Sequence, residues 1–526
     1  MTSILKYLNR ALLVLLLAAF AACSDNEGGN ESNGNGDDGN TETPADGDTY
    51  GYIKDTNGNP VEGVVVSDGY SCTATDAEGR YALTRNADAG FVFYSLPSAY
   101  KVSVDKTYKL PRFFARLQAG TARYDFTLEA LAAPEKRFDL ICIGDPQINE
   151  ASHAVRFKEE AGRDIREYAA SAGVPCYGIT LGDHVNNKWT LFTNMVVALQ
   201  PEQTGVPVFA TIGNHDHEFP TADEKAARAK YESYFGPVDY SFNRGDVHVV
   251  SMDNVIHSCK ASADYEGGFT AAQYAWLKQD LSFVPKDKMV ILCVHIPFRG
   301  GWGTNSAHAD ADKYYDEVLD LLSQYEYAAI MSAHTHSNIN YIHRKNGKEI
   351  FEHVTGTTCG AWWRSTVCTE GTPIGFGLYR IDGNRMEEWA YRSVRHDEQF
   401  QIRLYRASDT FVGGAKYRFK QTGADQIVAN IWNWDPSWTV NVYENDVLSG
   451  QMTRNSDIDA WTVAYHIGLL NNTDSYRKSS DHMFHYTLKN PAAAVRVEAI
   501  DRFGNKYEQT VFTDPAEHPG DFHADF

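Results

Sequence analysis

The pattern of hydrophobic and polar positions changes along the chain, and each change marks a different kind of region. Between Tyr50 and about Leu131, short alternating segments are separated by turn signals such as the Asn-Gly-Asn-Pro run at 57–60. Alternation over a few residues is typical of half-buried strands, and clusters of Gly, Asn, Asp and Pro favour turns. Residues 49–131 are therefore predicted to form a small all-β sandwich.

From Arg137 to Arg395, apolar strand-like runs alternate with longer helical stretches, and each run ends in polar residues. A helix is predicted from Ala154 to Ala172, because its apolar residues fall on one face. Strands that alternate with helices predict an α/β layered domain, residues 137–395, with its site along one sheet edge. The predicted strands are Phe138–Ile143, Tyr177–Leu181, Val206–Ile212, Val247–Met252, Met289–His295 and Ala328–Met331.

After about Arg395, strand-like alternation returns without helices of any length, which predicts a second β domain, residues 396–526. The clearest runs are Ile427–Trp432, Trp438–Tyr443 and Ala494–Ile500. Four tryptophans of this region either line a carbohydrate groove or belong to the core or an interface. They are Trp432, Trp434, Trp438 and Trp461.

The N-terminus has the layout of a secretory signal peptide, with Lys6 and Arg10 before an uncharged run from Ala11 to Ala22. This run is too short to span a membrane. The small residues directly before Cys23 resemble the lipobox of bacterial lipoproteins, although Phe20 stands where Leu is more frequent. The resemblance implies cleavage after residues 1–22 and a lipid on Cys23, so that residues 1–23 form a lipoprotein signal. The alternative is an ordinary cleaved signal with a chance cysteine.

Residues 24–48 contain almost nothing apolar, so they are predicted to form a flexible acidic tether. Ser24, Asp25 and Glu27 resemble the acidic signals that send some bacterial lipoproteins to the cell surface. Together with Cys23 they imply an outer-membrane lipoprotein of the cell envelope, periplasmic or surface-exposed. Its contact with the membrane would be made through the lipid anchor alone.

The formal net charge of -21 over 526 residues argues against binding to a nucleic-acid polymer, because phosphate backbones need patches of Lys and Arg. A phosphate-bearing substrate would have to be held locally, by metals. Of the eight cysteines, seven remain if Cys23 is lipidated, so at least one is a free thiol. Cys359 and Cys368 are a plausible disulfide, and the lack of a CxxC pair argues against a thiolate metal site.

Clusters of polar residues follow the predicted strands of the middle region. Together they contain the ligand types that a binuclear metal site needs, namely a bridging carboxylate, further oxygens and several imidazoles. The carboxyl end of a strand is where such side chains converge without disturbing the core. The clusters are Gly144-Asp145-Pro146-Gln147, Gly182-Asp183, Gly213-Asn214-His215-Asp216, His295 and His334-Thr335-His336.

In this order, these clusters resemble the five motifs of calcineurin-like metallophosphoesterases, over about Phe138 to Tyr379. The flanking β regions resemble a bacterial subgroup with β domains on both sides of this core, and the first resembles prealbumin-like modules. The resemblance implies an α/β fold of the four-layer metallophosphoesterase type, a β-sandwich with flanking helices. It also implies that two divalent ions (Mn, Fe, Zn or Mg) activate a water to hydrolyse a phosphodiester or phosphomonoester.

The resemblance assigns a role to each of the motif residues. One group would hold the first metal, a second group would hold the second metal, and Asp183 would bridge the two. The first group is Asp145, Gln147 and His336, and the second group is Asn214, His295 and His334. His215 would be the acid that protonates the leaving oxygen, or would contact the phosphoryl group, and Asp216 would orient His215 and favour its charged form.

Two positions depart from the family pattern. Gln147 stands where the first motif commonly has His, so an amide oxygen replaces an imidazole nitrogen. This change predicts a shift of preference from Zn toward Mn or Mg, with Mn favoured. Ala333 stands where Gly usually precedes the last motif, and a positive φ there would strain the loop by about 1 kcal/mol.

The substrate is expected to be a small phosphate ester, whether monoester or diester. Arginine would clamp an anionic group and tryptophan would stack on a ring, if these residues are not simply surface charge and packing. The candidates are Asn149, Asn186, His217, Arg299, Trp302, Trp362, Trp363 and Arg364. The alternative function is a surface binding protein with a vestigial metallophosphoesterase core, which the nearly complete ligand set disfavours.

Overall fold

The computed structural model describes residues 48–299, 313–409, 418–471 and 477–514. The predicted signal peptide, the lipid anchor at Cys23, the tether up to residue 47 and the substrate candidate Trp302 lie outside the described residues. Within the described residues, no helix combines the length and the apolar character that crossing a bilayer requires.

The first region folds as two small sheets packed face to face. One sheet has the order β4-β1-β7 and the other has the order β3-β2-β5-β6. Side chains such as Ile53, Val66 and Tyr81 are at most 1% exposed and form the core between them. The strands are β1 (Thr49–Asp55), β2 (Val65–Ser67), β3 (Cys72–Ala74), β4 (Arg80–Leu83), β5 (Phe91–Tyr94), β6 (Phe114–Arg116) and β7 (Phe126–Leu128).

The middle region is the α/β part of the molecule. Its elements are β8 (Arg137–Ile143), α1 (Ala151–Phe157), α2 (Arg163–Ser171), β9 (Cys176–Leu181), α3 (Phe192–Ala198), α4 (Pro201–Thr204), β10 (Val208–Thr211), α5 (Glu224–Phe235), β11 (Tyr240–Arg244), β12 (Val247–Ser251), β13 (Val255–His257), β14 (Tyr265–Gly267), α6 (Ala271–Ser282), β15 (Met289–Cys293), α7 (Tyr315–Leu322), β16 (Tyr327–Ser332), β17 (Ile339–Lys345), β18 (Lys348–Val354), β19 (Gly375–Asp382) and β20 (Arg385–Ser393).

Two central sheets carry this region among its described residues. The first central sheet has the order β10-β9-β8-β19-β20, and the second has the order β11-β12-β15-β16-β18-β17. Strands β8, β9 and β10 are parallel to one another, and so are β12, β15, β16 and β18. The carboxyl ends of parallel strands lie at the same edge of a sheet, so the loops after them emerge together.

Strand β8 shows why its apolar run is continuous rather than alternating. Leu140 and Cys142 belong to the core between the two central sheets, whereas Ile141 and Ile143 pack against the helices outside. A strand that is buried on both faces has no polar face to show. Helices α1, α2, α3 and α5 cover the first central sheet, and α6 and α7 cover the second. The predicted four-layer α/β fold with flanking helices is confirmed.

The helix predicted over residues 154–172 begins three residues earlier, and a π-helical turn at Lys158–Gly162 interrupts it. The turn brings the Glu160 carboxylate inward, where its Oε1 lies 3.2 Å from a guanidinium nitrogen of both Arg156 and Arg395. A π turn inserts one extra residue, which shifts the phase of the side chains that follow. Periodicity alone does not reveal such a shift.

The first β region shares a core with the middle region. The indole nitrogen of Trp276 in α6 donates to the Ser67 hydroxyl oxygen at 3.0 Å, and the Trp276 ring packs edge-on against Phe93. The Ser241 hydroxyl in β11 donates to the Ser95 hydroxyl oxygen at 2.9 Å. These buried contacts join the first region to the outer face of the second central sheet.

The last region is a second β sandwich. Its strands are β21 (Ile402–Arg406), β22 (Gln426–Ile431), β23 (Thr439–Glu444), β24 (Val447–Gln451), β25 (Thr453–Ile458), β26 (Ser479–Thr487), β27 (Val495–Ile500) and β28 (Lys506–Gln509). They form sheets of order β21-β22-β26-β25 and β24-β23-β27-β28. Trp432 is fully buried and Trp438 is 9% exposed, so these two tryptophans belong to the interior rather than to a groove.

The expectation that this last region lacks helix is wrong. A short helix α8 (Ala460–Thr462) continues as a π-helical segment, Val463–Leu469. The Asp459 carboxylate begins it by accepting hydrogen bonds from the backbone N–H groups of Trp461 and Thr462. Consecutive residues from Val463 to His466 are buried, so the segment lacks the one-sided apolar stripe that predicts a helix.

The proposed Cys359–Cys368 disulfide is also not formed, since both residues are buried free cysteines. The thiol of Cys359 lies 3.6 Å from the Gly360 carbonyl oxygen, and that of Cys368 lies 3.7 Å from the Thr357 hydroxyl. Each thiol therefore has its own polar neighbour within the same loop.

Candidate metal centre

The loops after five parallel strands bring the predicted ligands together. Asp145 and Gln147 follow β8, Asp183 follows β9, and Asn214 follows β10, all in the first central sheet. His295 follows β15, while His334 and His336 follow β16, in the second. All of these side chains are buried, with at most 8% of their surface exposed. The two central sheets thus enclose a polar centre at their common edge.

Three ligand atoms surround the Nε2 nitrogen of His295. It lies 3.0 Å from Asn214 Oδ1, 3.4 Å from Asp183 Oδ1 and 3.1 Å from His334 Nδ1. Ligand atoms of Asp183, His295 and His334 all lie within 4.8 Å of one another. A carboxylate, an amide oxygen and two imidazoles at this spacing form a donor set for a divalent ion.

The other half of the centre contains buried oxygens that lack hydrogen-bond donors. Asp145 Oδ1 and Gln147 Oε1 are buried and have no donor among the described residues. The Gln147 amide nitrogen donates to Asp183 Oδ2 at 3.2 Å, and His336 Nε2 lies 3.6 Å from Asp145 Oδ1. An unsatisfied buried carboxylate oxygen is costly unless a cation pairs with it. The residues present therefore fit a second ion, held by Asp145, Gln147 and His336 with Asp183 between the two.

Hydrogen bonds on the outer side of the rings set which imidazole nitrogens face the centre. His295 Nδ1–H donates to the Leu181 carbonyl oxygen at 2.7 Å, and His336 Nδ1–H donates to that of Gly360 at 3.2 Å. A proton on Nδ1 leaves the lone pair of the neutral ring on Nε2, which is the nitrogen nearest the other ligands. Such outer partners fix the tautomer and the orientation of a ligating histidine.

Most of the ligands lie in strained loops. A positive φ is uncommon for residues other than Gly and clusters at functional sites. The ligands with positive φ are Asp145 (+40°), Gln147 (+36°), Asp183 (+52°), His334 (+66°) and His336 (+53°). Ala333 does not adopt a positive φ, so the strain expected at that residue is absent and His334 carries the left-handed conformation instead.

Within the centre, Asp183 and His295 form the pair of side chains whose charged forms stabilise each other. Burial opposes ionisation of Asp183, but attraction to the His295 and His215 rings holds its pKa well below the usual range. Burial also opposes charge on His295, yet the Asp183 carboxylate raises the pKa of His295 to about 9. Burial lowers the pKa of His334, and lowers that of His336 to about 3. His334 and His336 are therefore in the neutral form that ligates metals, whereas a metal at His295 Nε2 would have to displace the proton that Asp183 stabilises.

Three family models match consecutive parts of the chain. The models for the N terminal of calcineurin-like phosphoesterase, for calcineurin-like phosphoesterase and for the C terminal of calcineurin-like phosphoesterase match residues 48–131, 127–338 and 352–507. The chain belongs to the calcineurin-like phosphoesterase family. The resemblance in the motifs is thereby confirmed, including the β regions on both sides.

Two curated relatives are plant enzymes, purple acid phosphatase 23 and purple acid phosphatase 18 of Arabidopsis thaliana. They are 26% and 25% identical to this phosphoesterase-family chain over 181 and 182 residues. The alignments cover 31% and 32% of this chain, and 36% and 38% of the two relatives. The chain thus spans just over a third of the length of these relatives.

Solved structures similar to this family member include a purple acid phosphatase from yellow lupin (Lupinus luteus) seeds and a 5'-nucleotidase precursor from Thermus thermophilus. The first has a TM-score of 0.37 and 13% identity, covering 50% of this chain and 53% of the other. The second has a TM-score of 0.30 and 10% identity, covering 49% and 54%.

In this calcineurin-like phosphoesterase, the partner of His215 is Asn187 and not Asp216, which the sequence analysis predicted. His215 Nδ1 lies 2.9 Å from Asn187 Oδ1, and the His215 backbone N–H donates to Asp183 Oδ1 at 2.8 Å. Asp216 does not orient His215, because its Oδ2 lies 2.9 Å from His184 Nδ1 and its Oδ1 accepts from the His184 backbone N–H at 2.8 Å. Asp216 therefore braces the loop after β9.

Asn187 is a site residue that sequence reasoning missed. Its φ of +55° turns the chain, and its amide nitrogen donates to the Ser262 hydroxyl oxygen at 2.9 Å. Its amide oxygen is therefore held toward His215. An asparagine shortly after the Gly-Asp motif was a visible signal, but only the folded loop shows that Asn187, rather than Asn186, reaches His215.

Trp363 is not available to stack on a substrate, which corrects its predicted role. It is 2% exposed, and its indole nitrogen donates to the Pro146 carbonyl oxygen at 2.8 Å. The Arg156 guanidinium lies 5.0 Å from the Trp363 ring centroid, and the His153 ring stacks on it at 5.3 Å. Trp363 therefore supports the loop that carries Asp145 and Gln147.

The other substrate candidates are distributed unevenly around the centre. The half-buried Trp362 ring lies 4.7 Å from that of His336 at an interplanar angle of 31°. Arg299 is exposed, with its guanidinium 5.3 Å from the Tyr341 ring centroid, and Arg364 is exposed too. His217 is buried, with its Nδ1 2.9 Å from the Gly213 carbonyl oxygen and its Nε2 3.1 Å from Asp253 Oδ2, so it has no nitrogen left for a substrate.

Proposed function

We propose that this chain hydrolyses small phosphate esters with two divalent metal ions. The observation that carries the proposal is the convergence of seven ligand-type side chains, two of which have a buried oxygen without a donor among the described residues. The family and the two phosphatase relatives support the same reaction class. A vestigial core would be expected to have lost ligands, whereas the only exchange here replaces one donor with another.

When bound, two divalent ions would neutralise the phosphoryl oxygens and lower the pKa of a coordinated water. Asp183 lies between both halves of the donor set and would contact both ions. Asn187 accepts from His215 Nδ1–H, which leaves His215 Nε2 as the nitrogen that can pass a proton to the leaving oxygen. The strained, fully packed loops hold these groups in place without the substrate, so little reorganisation is needed.

The substrate class is a small monoester or diester, recognised first through its phosphate. Trp362 beside His336 offers a partly exposed aromatic face for a ring on the substrate, and Arg299 and Arg364 offer exposed positive charge. The net charge of -21 disfavours a nucleic-acid polymer.

The ligand types support a proposal for the identity of the ions. The Gln147 amide oxygen makes one half of the centre rich in oxygen, and Mn or Mg tolerates oxygen ligands better than Zn does. Mn is the proposed working metal. The sequence of the first 48 residues supports anchoring of the mature protein in the cell envelope through Cys23, with the tether holding the enzyme away from the membrane.

The test compares hydrolysis of bis-p-nitrophenyl phosphate and p-nitrophenyl phosphate by metal-stripped protein after addition of Mn, Zn or Mg. Turnover that depends on metal and is lost in Asp183→Ala supports the proposal, and the ratio of the two rates assigns diester or monoester preference. If wild-type protein binds two ions but hydrolyses neither ester nor a panel of sugar and nucleoside phosphates, the binding-protein alternative replaces it.

A further inference from the structure

The hairpin of β13 and β14 lies against the metal centre and carries a tyrosine that the motifs do not include. Tyr265 begins β14, and its hydroxyl oxygen lies 3.4 Å from His334 Nε2, a long contact. The two rings meet edge to face, with centroids 5.7 Å apart and planes at 83°. The contact therefore involves the Nε2 nitrogen of His334.

The two nitrogens of His334 have different surroundings. Nδ1 lies 3.1 Å from His295 Nε2 and is thus the nitrogen that faces another candidate ligand. A nitrogen that binds a metal must carry the lone pair, so the proton of the neutral ring is on Nε2. This N–H points toward the Tyr265 hydroxyl oxygen, which is the acceptor within its reach among the described residues.

The other two ligating histidines use backbone carbonyl oxygens for this purpose, those of Leu181 and Gly360. His334 is held through its opposite nitrogen and by a side chain. We propose that Tyr265 is a positioning residue of the metal centre, whose hydroxyl accepts the His334 Nε2–H and thereby presents Nδ1 to one of the two ions. The proposal rests on the proposed binuclear centre.

A row of parallel rings holds Tyr265 in place. The Tyr265 ring stacks on His257 with centroids 6.4 Å apart at 9°, and His257 stacks on His217 with centroids 5.6 Å apart at 2°. His217 is in turn held by Asp253, whose Oδ2 lies 3.1 Å from His217 Nε2. Strand pairing places His257 directly opposite Tyr265. Replacing Tyr265 with Phe would keep this row and remove the hydroxyl alone.

The experiment measures metal binding by full-length metal-stripped protein, using Mn²⁺ titration followed by calorimetry and the metal content after dialysis. In Tyr265→Phe, one of the two ions is expected to bind about 10- to 100-fold more weakly, the usual effect of losing an outer partner of a ligand. Tyr327→Phe is the matched control, because Tyr327 begins strand β16, which leads to His334, and its hydroxyl oxygen accepts from exposed Arg385 at 3.0 Å. It should bind both ions like wild type.

A double-mutant cycle distinguishes the positioning of His334 by Tyr265 from a general loss of fold stability. In a His334→Gly background, where glycine tolerates the φ of +66°, Tyr265→Phe should change neither dissociation constant further. An equal loss in both backgrounds, or dissociation constants of Tyr265→Phe equal to those of wild type, would overturn the proposal. Wild-type protein that binds no ions would overturn the centre as well. Two ions bound without ester hydrolysis would refute the enzyme but leave the assignment of Tyr265 intact.

Discussion

The two central sheets contribute different chemistry to the same centre. The loops of the first sheet carry the candidate oxygen ligands, and the loops of the second carry the candidate imidazole ligands. The oxygen donors are Asp145, Gln147, Asp183 and Asn214, and the nitrogen donors are His295, His334 and His336. Each half alone is an incomplete ligand set, so the centre exists only where the sheets pack together.

Each sheet also orients ligands of the other. The His334 backbone N–H from the second sheet donates to Asp145 Oδ2 at 3.0 Å, and the Leu181 carbonyl oxygen from the first accepts from His295 Nδ1–H at 2.7 Å. A displacement of one sheet relative to the other would disturb both ligand types. Metal binding and the packing of the two central sheets are therefore expected to depend on each other.

The largest effect is expected where the two halves meet. Asp183→Ala removes the carboxylate that contacts both donor sets, so it should lower kcat/KM by about 10³-fold or more and reduce the bound metal below two ions. Initial rates with p-nitrophenyl esters and elemental analysis of dialysed protein check this. A variant that retains both ions would show that the halves are independent sites.

Substituting Asn187 tests whether the loop after β9 in the first central sheet orients His215, the proposed acid. Asn187→Gly keeps the φ of +55° possible but removes the acceptor for His215 Nδ1–H, so kcat should fall by roughly 10²-fold with KM and metal content unchanged. Asn187→Asp restores an acceptor oxygen and should recover most of the rate. If both variants raise KM and lose metal, Asn187 supports the loop rather than orienting the acid.

Substituting Glu352 tests how strongly the second central sheet stabilises the loop after His295. It is fully buried, accepts from the Phe298 backbone N–H at 2.8 Å and the Ser332 hydroxyl at 3.0 Å, and pairs with His343 Nε2 at 2.6 Å. Glu352→Ala leaves these donors buried without an acceptor, so the free energy of unfolding should fall by about 3 kcal/mol.

The matched control for that change is Glu349→Ala on the same strand. Glu349 pairs with Arg344 at 2.7 Å, but both side chains are more than half exposed, so the loss should be below about 0.5 kcal/mol. Urea unfolding of both variants with saturating Mn²⁺ measures the difference. Similar losses of unfolding free energy in the two variants would mean that the buried hydrogen bonds of Glu352 do not stabilise the packing of the two central sheets.

The smallest effect is expected from a change of ligand type. Gln147→His replaces the oxygen of the first sheet with a nitrogen, which should shift the ratio of Zn²⁺ to Mn²⁺ affinity by about 10-fold toward Zn²⁺. Competition between the two ions at equilibrium checks this, with Asn149→His as a control on the same loop. An unchanged ratio would indicate that Gln147 does not contact an ion.

Prediction from the sequence succeeded where a pattern is local. The strand runs that end in polar motifs predict both the α/β layered domain and the edge at which the candidate ligands meet, because a buried strand and the loop after it are continuous in the chain. Prediction failed for the π-helical turn at Lys158–Gly162 and for the helix after Asp459. In both, inward-facing contacts with other regions override the local periodicity.

The hydrogen-bond partners of the site residues could not be predicted from the sequence either. Asp216 follows His215 directly, yet it pairs with His184, and Trp363 lies next to a half-buried tryptophan but is itself buried. Neighbours in sequence are not neighbours in space when a turn separates their side chains.

By itself, the sequence determined the ligand types, their order and the strands that carry them, since these are local properties of residue identity and hydrophobic pattern. Only the tertiary structure decided which group lies against each site residue: Asn187 beside His215, Tyr265 beside His334, and the opposite sheet for Asp145 and His295. Hydrogen bonds of this kind require distances of about 3 Å between groups far apart in the chain, and only the packing of the sheets produces them.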